Sequence, residues 1–411
     1  MTTKHLCRHC KKELNLTFLD LGFAPPSNAY LDEASLQKSE KYYPLKVKVC
    51  DQCFLVQTED YAAADEFFSS DYAYFSSTSS SFLDHAEKYS KKMINELNLD
   101  KDSFVIEVAS NDGYLLKNFV SASIPCLGIE PTDSTAKAAE DIGVPTLRKF
   151  FGESLANDLV KDEKMADLIA GNNVYAHVPD INDFTMGLKT ALKSNGTITL
   201  EFPHLLSLLE YSQFDTVYHE HFSYLSLHAV SEIFKSCELR VFDVEKLSTH
   251  GGSIRIIGCH DNDKRETTSN VSQLLNDEKE KGITNIDTYT NFQSKAEKIK
   301  DDLINFLIDK KNNGKSVVAY GAAAKGNTLM NFAGLKTDLI QFVCDAAEAK
   351  QGKYMPGSHI PILSPEILNT YKADYVLILP WNISDEVKQQ NCHMEKNGTK
   401  FVIAVPEIKE I

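Results

Sequence analysis

The chain has 411 residues, of which 43% are hydrophobic and 25% charged, an ordinary globular composition with room for two or three domains. A formal net charge of −15 makes nucleic acid an unsuitable partner, although a few well-placed donors would suffice for a single nucleotide. The start, MTTKHLCRHC, does not have the pattern of a signal peptide, and no apolar run approaches the roughly 20 residues that cross a bilayer. We therefore expect a cytoplasmic protein that binds neither nucleic acid nor a membrane.

Two CxxC pairs mark residues 1–65, which we predict to be a separate domain. Cys7 pairs with Cys10, and Cys50 pairs with Cys53. Each pair can offer two thiolates from a tight turn, and two such turns complete a tetrahedron of four sulfurs around one zinc ion. A closed site of this kind leaves no position for a reactant, so the pattern indicates a structural metal, with a redox CxxC as the alternative. The other five cysteines are scattered, as in reduced proteins.

Residues 66–262 are predicted to form a second domain. Its first part, 66–100, is a mainly helical lead-in that is interrupted by the aromatic, hydroxyl-rich stretch DYAYFSSTSSSF. Buried strands are predicted in SFVIEVAS, PCLGIEPT, MADLIAGNNV and GTITLEFP, with helical segments among them. Strands that alternate with helices indicate an α/β fold with a parallel, doubly wound sheet.

Residues 263–411 are predicted to form a third domain. A charged segment of helical period, 264–315, precedes a second alternating block. The predicted strands of this block lie in KSVVAYGAAAKGNTLMNF, LIQFVCDA, YVLILPWN and KFVIAVPE. We therefore expect two α/β domains behind a small zinc domain, with a shared architecture but no sequence repeat.

The loop after the first strand of the second domain predicts a binding site, because parallel sheets place ligands at the carboxyl ends of their strands. This loop, 110–113, has one glycine and is not the GxGxxG fingerprint, but it matches the looser loop of class I methyltransferases, in which S-adenosylmethionine lies across the strand ends. Glu130 ends the second strand, where a carboxylate can accept hydrogen bonds from both ribose hydroxyls. The alternative is a generic nucleotide fold in which this glutamate is incidental. The candidate cofactor ligands are Glu107, Ala109, Asn111, Gly113, Glu130 and Asn173.

A second loop of this type, YGAAAKGNT, lies in the third domain. It offers small residues, backbone N–H groups and Lys325 at the start of a helix, which together suit a phosphate. Asp345 ends the next predicted strand, again where a carboxylate could bind a ribose. The alternative is a Rossmann-like fold that is kept only for packing.

The segment FDTVYHEHFSYLSLH, residues 214–228, gathers three histidines, two tyrosines, a glutamate and an aspartate. Side chains of these types transfer protons near neutral pH or donate hydrogen bonds to developing charge. A simpler interpretation is an aromatic-rich loop whose polar tips reach water. The segment is therefore a candidate active site whose context has to come from the rest of the chain.

The ordered set of motifs, rather than any single one, resembles a known family. In chain order the motifs are the two CxxC pairs, DYAYFSS, VIEVASNDGYLL, NNVYAHVPD, EFPH, YHEHFSYLS, HGGSIRI, YGAAAKGN and LPWN. Together they resemble the nucleotide-sugar C-methyltransferases, which install branched 3-C-methyl groups on 4-keto-6-deoxysugars. The resemblance spans nearly the whole chain. It implies a zinc-binding N-terminal domain, a central class I methyltransferase domain, and a C-terminal Rossmann-like domain that helps to hold the nucleotide-linked sugar.

The resemblance also implies roles for the histidine-rich segment. The catalytic histidine of the family ends a Tyr-x-Glu-His motif, which here makes His221 the base. Glu220 would orient that base or bind the sugar, and Tyr218 would donate a hydrogen bond to the substrate ketone. His219 and His228 are expected to be ordinary core or surface residues. Two further positions match the family's catalytic set, Tyr72 and His177.

Such a residue set suits removal of a proton from the carbon beside a ketone. The charge spreads onto the carbonyl oxygen, so the reaction needs donors at that oxygen and a base near neutral pKa, and histidine starts at about 6.5. We expect a monomer that uses S-adenosylmethionine and a thymidine- or guanosine-diphosphate-linked 4-keto-6-deoxysugar. EFPH could also cap its strand, and HGG could form a tight hairpin. The candidate substrate ligands are Tyr74, Glu201, His204, Tyr224, Arg255, Lys325, Asn327, Asp345 and Asn382.

Two other classes of function are compatible with parts of the sequence. A methyltransferase that acts on a macromolecule could use the zinc domain as its reader, but the negative charge and the second nucleotide-type domain argue against it. A non-catalytic scaffold could retain an inactive methyltransferase domain, but Glu130 and the dense cluster at 218–221 argue against that class.

Overall fold

The structure is a computed structural model that describes residues 5–59, 61, 75–78 and 80–411. Its first sheet is antiparallel and contains four strands, in the order β1 (Leu16–Ala24), β2 (Tyr43–Val49), β3 (Val56–Thr58) and β9 (Ser223–Tyr224). Strand β1 ends at Ala24, directly before Pro25 and Pro26. That end is irregular, because the pairing register shifts between Asp20 and Phe23. The fourth strand belongs to the histidine-rich segment, so main-chain hydrogen bonds join that segment to the N-terminal residues.

The second sheet belongs to the middle of the chain. Its seven strands are β4 (Val105–Val108), β5 (Cys126–Ile129), β6 (Thr146–Leu147), β7 (Ala166–Asn172), β8 (Leu192–Pro203), β10 (Leu239–Leu247) and β11 (Ser253–His260). Their order across the sheet is β10-β11-β8-β7-β4-β5-β6. Strands β4 to β8 pair in parallel, while β11 is antiparallel to both of its neighbours. All four residues of β4 are buried, as expected of a central parallel strand with both faces covered.

Helices connect these strands and cover the sheet. They are α1 (Ser80–Glu96), α2 (Leu116–Ser121), α3 (Asp133–Asp141), α4 (Glu153–Lys161), α5 (Ile181–Ala191), α6 (Leu205–Glu210) and α7 (Leu227–Ser236). The hydrophobic side chains of α5 and α7 pack on the sheet around Phe202, Tyr175 and Phe234. This arrangement confirms the predicted parallel α/β domain, and its antiparallel edge was not predicted.

The third sheet lies in the C-terminal part of the chain. Its strands are β12 (Val317–Tyr320), β13 (Val343–Cys344), β14 (Ile362–Leu363), β15 (Tyr375–Ile378), β16 (Lys400–Ile403) and β17 (Lys409–Glu410). The order is β14-β13-β12-β15-β16-β17, and all neighbours pair in parallel except β16 and β17. The helices of this part are α8 (Ser269–Glu280), α9 (Asp287–Thr290), α10 (Phe292–Asn312), α11 (Ala324–Phe332) and α12 (Ser384–Gln390). Within the described ranges, no helix is long and apolar enough to span a membrane.

The four-stranded first sheet packs against the C-terminal part of the chain and pairs with a strand from the middle part. Its Phe18 ring stacks on Phe292 with centroids 4.6 Å apart and meets Tyr289 edge-on at 5.7 Å. These contacts join the N-terminal residues to the core of the C-terminal part. The cysteine turns instead share a core with the seven-stranded sheet, through residues such as Leu55 and Leu225. The predicted N-terminal domain is therefore packed against both α/β domains.

Candidate active site

The four cysteines of the CxxC pairs form a compact cluster. Their sulfur atoms all lie within 4.8 Å of one another. Sγ of Cys7 lies 3.6 Å from Sγ of Cys53, and Sγ of Cys10 lies 3.5 Å from Sγ of Cys50. The cysteines are buried or half-buried, and they do not line the cavity described below. A cluster of this composition and separation from the cavity suits a structural metal.

Two turns of the same form hold these pairs. The N–H of Lys11 donates to the carbonyl of Cys7 at 2.9 Å, and the N–H of Phe54 donates to the carbonyl of Cys50 at 3.1 Å. Both Lys11 and Phe54 adopt the left-handed conformation, with φ of 59° and 56°. Nε2 of Gln57 also donates to Sγ of Cys7 at 3.3 Å, a contact that stabilises a thiolate. Four sulfurs on two matched turns fit a tetrahedral zinc ion.

A cavity of about 730 Å³ lies where the three sheets meet. Part of its wall is formed by the carboxyl ends of β4, β5 and β7 and the loops that follow them. Another part is the loop between β12 and α11, and the N-terminal residues Asn28 and Tyr30 complete it. The volume falls in the range of small-molecule sites. Both parallel sheets therefore contribute the segments that follow their strands to one shared site.

Glu130 lies at the end of β5 and lines the cavity although it is buried. Its Oε2 accepts from the N–H of Asn111 at 3.0 Å, and its Oε1 accepts from the N–H and the hydroxyl of Thr132 at 2.9 and 2.6 Å. A carboxylate has about four acceptor sites, so these bonds orient the group and leave room for a ligand hydroxyl. Glu130 thus lines the cavity at the end of β5, and its contact with a cofactor ribose stays a prediction.

The loop that precedes α2 has an unusual backbone. Ala109, Asn111 and Gly113 all have positive φ, at 57°, 50° and 75°. A Cβ atom at Gly113 would lie 3.0 Å from Val144 and 3.1 Å from Ala139, so close packing requires glycine there. Ala109 and Asn111 line the cavity, whereas Gly113 shapes the loop from behind.

Glu107 is only 1% exposed and does not line the cavity. Burial, together with the nearby carboxylates of Asp112 and Glu130, raises its pKa well above the usual range. The structure therefore places this predicted cofactor ligand beneath the loop.

Two asparagines after β7 line the same end of the cavity. Within the described part of the chain, the buried side-chain oxygens of Asn172 and Asn173 have no hydrogen-bond partner. Buried polar atoms without a partner are costly, so a ligand that donates to them would be stabilised. Together with Glu130 and the loop before α2, these oxygens fit the donor groups of S-adenosylmethionine. Asn173 was predicted from the sequence, and Asn172 was not.

His221 lies on the cavity wall with both ring nitrogens in defined contacts. Nδ1 lies 3.0 Å from the carbonyl of Thr216, which can only accept, so Nδ1 carries the proton. Nε2 then has the lone pair and accepts from the hydroxyl of Tyr218 at 2.8 Å. Burial, and after it the charge of His177, lowers the pKa of His221 well below the usual range. The imidazole is therefore neutral at neutral pH, as a base must be.

Two more histidines line the cavity. Nδ1 of His177 lies 2.6 Å from the carbonyl of Glu220, and its ring centroid is 4.6 Å from that of His221. His250 lies in the turn between β10 and β11, has a left-handed φ of 54°, and meets Phe82 edge-on at 5.4 Å. Burial lowers the pKa of both His177 and His250 to about 4. His250 was missed by sequence analysis, although it begins the HGG stretch that was singled out for its glycines.

Glu220 does not line the cavity. Its Oε1 accepts from Nδ2 of Asn28 at 3.1 Å, and burial raises its pKa. Because the orienting contact of His221 comes from the carbonyl of Thr216, the predicted role of Glu220 as orienter has no direct contact in the structure. The side chain of Glu220 reaches the site through Asn28, a cavity residue that the sequence did not reveal, and its backbone carbonyl contacts Nδ1 of His177.

The remaining aromatic members of the segment pack away from the cavity. His219 is buried and meets Tyr43 edge-on with centroids 5.9 Å apart. Tyr224 meets His221 edge-on at 6.0 Å and supports its ring from behind. His219 therefore occupies a core position as expected, and Tyr224 is not a cavity residue.

Lys325 presents a positive charge to the cavity from the start of α11. Its Nζ donates to Oδ1 of Asn382 at 2.7 Å and lies 4.6 Å from the ring centroid of Trp381. Burial lowers the pKa of Lys325, and the carboxylate of Asp215 opposes that change. Lys350, which the sequence did not indicate, also lines the cavity. Asn382 contacts Lys325 and is not itself a lining residue.

Two predicted substrate ligands of the third domain have structural roles. Oδ2 of Asp345 accepts from the N–H of Ala322 at 2.7 Å, which fixes the loop after β12. Asn327 is buried and donates to the carbonyl of Ser27 at 2.6 Å, which ties α11 to the N-terminal residues. Neither side chain lines the cavity.

The predicted ligands on β8 and β11 also lie outside the cavity lining. Arg255 pairs with Glu201 at 2.5 Å, and the ring of His85 lies 2.8 Å from the same carboxylate. Nε2 of His204 lies 2.6 Å from Oε1 of Glu278, and both are buried. These contacts join the sheet to α1 and α8, and they suit the alternative in which EFPH caps its strand. The two remaining predicted residues, Tyr72 and Tyr74, lie outside the described residues.

A seven-stranded sheet with one antiparallel edge, with a cavity and a carboxylate at its carboxyl strand ends, defines a class I methyltransferase. Three family models match the chain: "Putative zinc binding domain" at residues 7–68, "Methyltransferase domain" at 82–244 and "C-methyltransferase C-terminal domain" at 248–406. C-methyltransferase NovU of Streptomyces niveus is 32% identical over 405 residues, which are 98% of this chain and 96% of that protein. The chain belongs to the S-adenosylmethionine-dependent C-methyltransferases, with zinc at the cysteine cluster.

Two solved structures that resemble the chain do so over less than half of it. PH0226 protein from Pyrococcus horikoshii OT3 is 13% identical, with 46% of this chain and 95% of that chain covered and a TM-score of 0.38. Magnesium protoporphyrin IX methyltransferase from Synechocystis PCC 6803 with bound SAM is 10% identical, with 43% and 79% covered and a TM-score of 0.34.

Proposed function

We propose that this protein methylates C3 of a nucleotide-linked 4-keto-6-deoxysugar after removing the proton from that carbon. The observation that carries the proposal is the neutral His221, with its lone pair on Nε2, in a cavity shared by the two parallel sheets. The motif order and the resemblance to C-methyltransferase NovU support a small-molecule substrate of this class.

The cofactor end of the cavity is formed by Glu130, Ala109, Asn111 and the asparagines after β7. These residues would bind S-adenosylmethionine through its ribose and its amino groups. When bound there, the cofactor supplies an electrophilic methyl group. The residues themselves hold and orient it, and the largely apolar wall around them excludes water.

His221 is the base of the proposed reaction. Its Nε2 takes the proton from C3, the electron pair of the C–H bond forms a double bond between C3 and C4, and the π pair of the ketone moves onto its oxygen to give an enolate. The Thr216 carbonyl keeps the proton on Nδ1, so the basic nitrogen stays at Nε2. Once substrate is bound, the hydroxyl of Tyr218 is within reach to donate to the developing oxyanion instead of to His221.

Lys325 would receive the diphosphate or sugar end of the substrate. It lines the cavity beside Ala323 and Ala324, whose small side chains let a ligand approach the backbone at the start of α11. Its ammonium has two protons that Asn382 does not use. The assay below distinguishes between thymine and guanine as the base of the nucleotide.

The test is an assay of the purified protein with S-adenosylmethionine and a panel of thymidine- and guanosine-diphosphate-linked 4-keto sugars. We expect one member of the panel to gain a single methyl group by mass spectrometry. In heavy water with S-adenosylhomocysteine in place of the donor, the same sugar should exchange the hydrogen at C3. Absence of both methylation and exchange across the panel would refute the proposed substrate class.

Thermal melting separates this function from its competitors. Both S-adenosylmethionine and the nucleoside diphosphate should raise the melting temperature, because each binds only the folded protein. A methyltransferase that acts on a macromolecule should respond to the first ligand alone, and a scaffold to neither.

A further inference from the structure

The turn that holds His221 is also the point where the C-terminal domain meets the active site. This turn, residues 213–217, contains Thr216, whose carbonyl accepts from Nδ1 of His221 at 3.0 Å. The neighbouring Asp215 is fully buried, and its Oδ2 accepts from Nε1 of Trp381 at 2.7 Å. A hydrogen bond from the C-terminal domain thus ends one residue away from the carbonyl that orients the base.

Two more contacts from the C-terminal domain reach the same turn. The hydroxyl of Thr328 donates to the carbonyl of Val217 at 2.8 Å, and the ring of Phe332 meets that of Phe214 edge-on at 5.6 Å. Both partners lie on α11, the helix that begins beside Lys325. Helix α11 is therefore in direct contact with the turn.

Trp381 connects the turn to the charged end of the cavity. Nζ of Lys325 lies 4.6 Å above its ring, and the next residue, Asn382, accepts from the same Nζ. The far edge of the indole rests on Gly251, where a Cβ atom would lie only 2.3 Å from Cη2. Nε2 of Gln213 donates to the carbonyl of Gly251 at 2.8 Å. The turn is therefore bonded to the same glycine against which the indole packs.

We propose that Asp215 and Trp381 are positioning residues for the reaction, because their hydrogen bond ties Lys325 to the Thr216 carbonyl that orients His221. Neither side chain lines the cavity, so both act through other groups. The burial of Asp215 raises its pKa to about 6, and Lys325 lowers that pKa, which is consistent with an electrostatic link between them. The inference rests on the proposed role of His221 as the base.

The decisive variant is Trp381→Phe. A phenyl ring keeps an aromatic face for Lys325 but has neither the Nε1–H for Asp215 nor the outer indole edge that rests on Gly251, so the Asp215 variants below separate the hydrogen bond from that packing. We expect the maximal rate of C3 hydrogen exchange in heavy water to fall about tenfold to a hundredfold, because small displacements of a catalytic group cost that much. The KM for the 4-keto sugar nucleotide should rise by no more than about fivefold, since most of the cation–π contact remains. A wild-type maximal rate, or a loss confined to KM, would overturn the inference.

Variants of the partner add a test of coupling. Asp215→Asn keeps an oxygen that can accept from Trp381 and should restore most of the rate that Asp215→Ala loses. The double variant of Trp381→Phe with Asp215→Ala should be no slower than the slower single variant, because both remove one hydrogen bond. Fully additive losses would show that the two residues act independently and would refute the pairing. Trp381 is the only tryptophan of the chain, so Asp215→Ala should also change its fluorescence emission.

A matched control separates positioning from a general loosening between domains. Gln293 on α10 forms two hydrogen bonds with the backbone of Asp20 on β1, at 2.8 and 3.2 Å, and neither residue lines the cavity. Gln293→Leu should keep the wild-type exchange rate, and an equal loss in this variant would refute a specific relay. His221→Asn belongs in the same series. If His221→Asn still exchanges, the proposed base is wrong, whereas loss in His221→Asn with a normal Trp381→Phe refutes only the relay.

Discussion

In each of the two parallel sheets, the second strand along the chain is followed by a carboxylate that accepts hydrogen bonds from nearby backbone N–H groups. Only one of these two carboxylates lines the cavity. Glu130 follows β5 and accepts from the N–H of Asn111 in the preceding loop and from the N–H of Thr132, two residues on. Asp345 follows β13 and accepts from the N–H of Ala322 in the preceding loop and from that of Ala347, again two residues on. Glu130 lines the cavity and Asp345 does not.

The comparison shows that a strand-end carboxylate is first a structural element of this kind of sheet. It satisfies backbone N–H groups that the turn leaves without partners. Whether it also binds a ligand depends on what covers it, and Nζ of Lys350, a cavity residue, lies 3.4 Å from Oδ2 of Asp345. The following predictions test this division of roles, from the largest expected effect to the smallest.

The division can be broken at the N-terminal domain, which holds the zinc cluster and packs against both α/β domains. Cys50→Ser should remove zinc and lower the melting temperature strongly, because structural zinc contributes on the order of 10 kcal/mol to the folding of small domains. Affinity for both S-adenosylmethionine and nucleoside diphosphate should decline together. Metal analysis and thermal melting provide the measurement. Cys392→Ser, at an exposed cysteine outside the cluster, is the control, and one retained zinc per chain in Cys50→Ser would contradict the assignment.

The proposed base, His221, should be needed for the reaction but not for binding of the cofactor. His221→Asn keeps a polar side chain without a basic nitrogen, so methylation should fall about 10²-fold or more, in the range of a general base. Binding of S-adenosylmethionine should stay unchanged in calorimetry. His219→Asn, in the core beside Tyr43, should remain within a few-fold of wild type. A larger loss of methylation in His219→Asn than in His221→Asn would show that His219, rather than His221, is the base.

The two strand-end carboxylates can be compared directly. Glu130→Ala should weaken S-adenosylmethionine binding by roughly 1.5–3 kcal/mol, as for a hydrogen bond to a charged group, with nucleotide affinity hardly changed. Asp345→Ala should leave S-adenosylmethionine affinity intact and instead destabilise the protein by about 1–3 kcal/mol, because the N–H of Ala322 loses its acceptor. Calorimetry and denaturation of both variants give the comparison. Equal losses of S-adenosylmethionine affinity in the two variants would contradict the proposal that only Glu130 binds the cofactor.

The smallest effect concerns pH. Because burial lowers the pKa of His221, the imidazole remains deprotonated as the pH falls through 6.5, where an exposed histidine would be half protonated. The rate of C3 hydrogen exchange should therefore change little between about pH 8 and pH 6.5 and should decline only at lower pH. An exchange rate that falls by half at about pH 6.5 would show that His221 is more exposed in the working enzyme.

The sequence predicted the features that depend on neighbours along the chain. Cys7 and Cys10 lie in one tight turn, and the apolar run through β4 can only be a buried strand. It also predicted a carboxylate at the end of β5 and the histidine-rich segment. It did not find His250 in the cavity wall or Trp381 behind that wall, because nothing in their immediate neighbours distinguishes either position from an ordinary loop.

What the sequence alone determined was therefore the type and order of the chemical groups, from the cysteine turns to the Tyr-x-Glu-His motif that ends at His221. The tertiary structure decided which of these groups share a cavity. It assigned Glu130 to the cavity and Asp345 to the loop, and it moved Arg255 and Glu201 into a buried pair. The physical reason is that hydrogen bonds within a turn are set by a few adjacent residues. Exposure to a cavity is instead set by how elements hundreds of residues apart pack together.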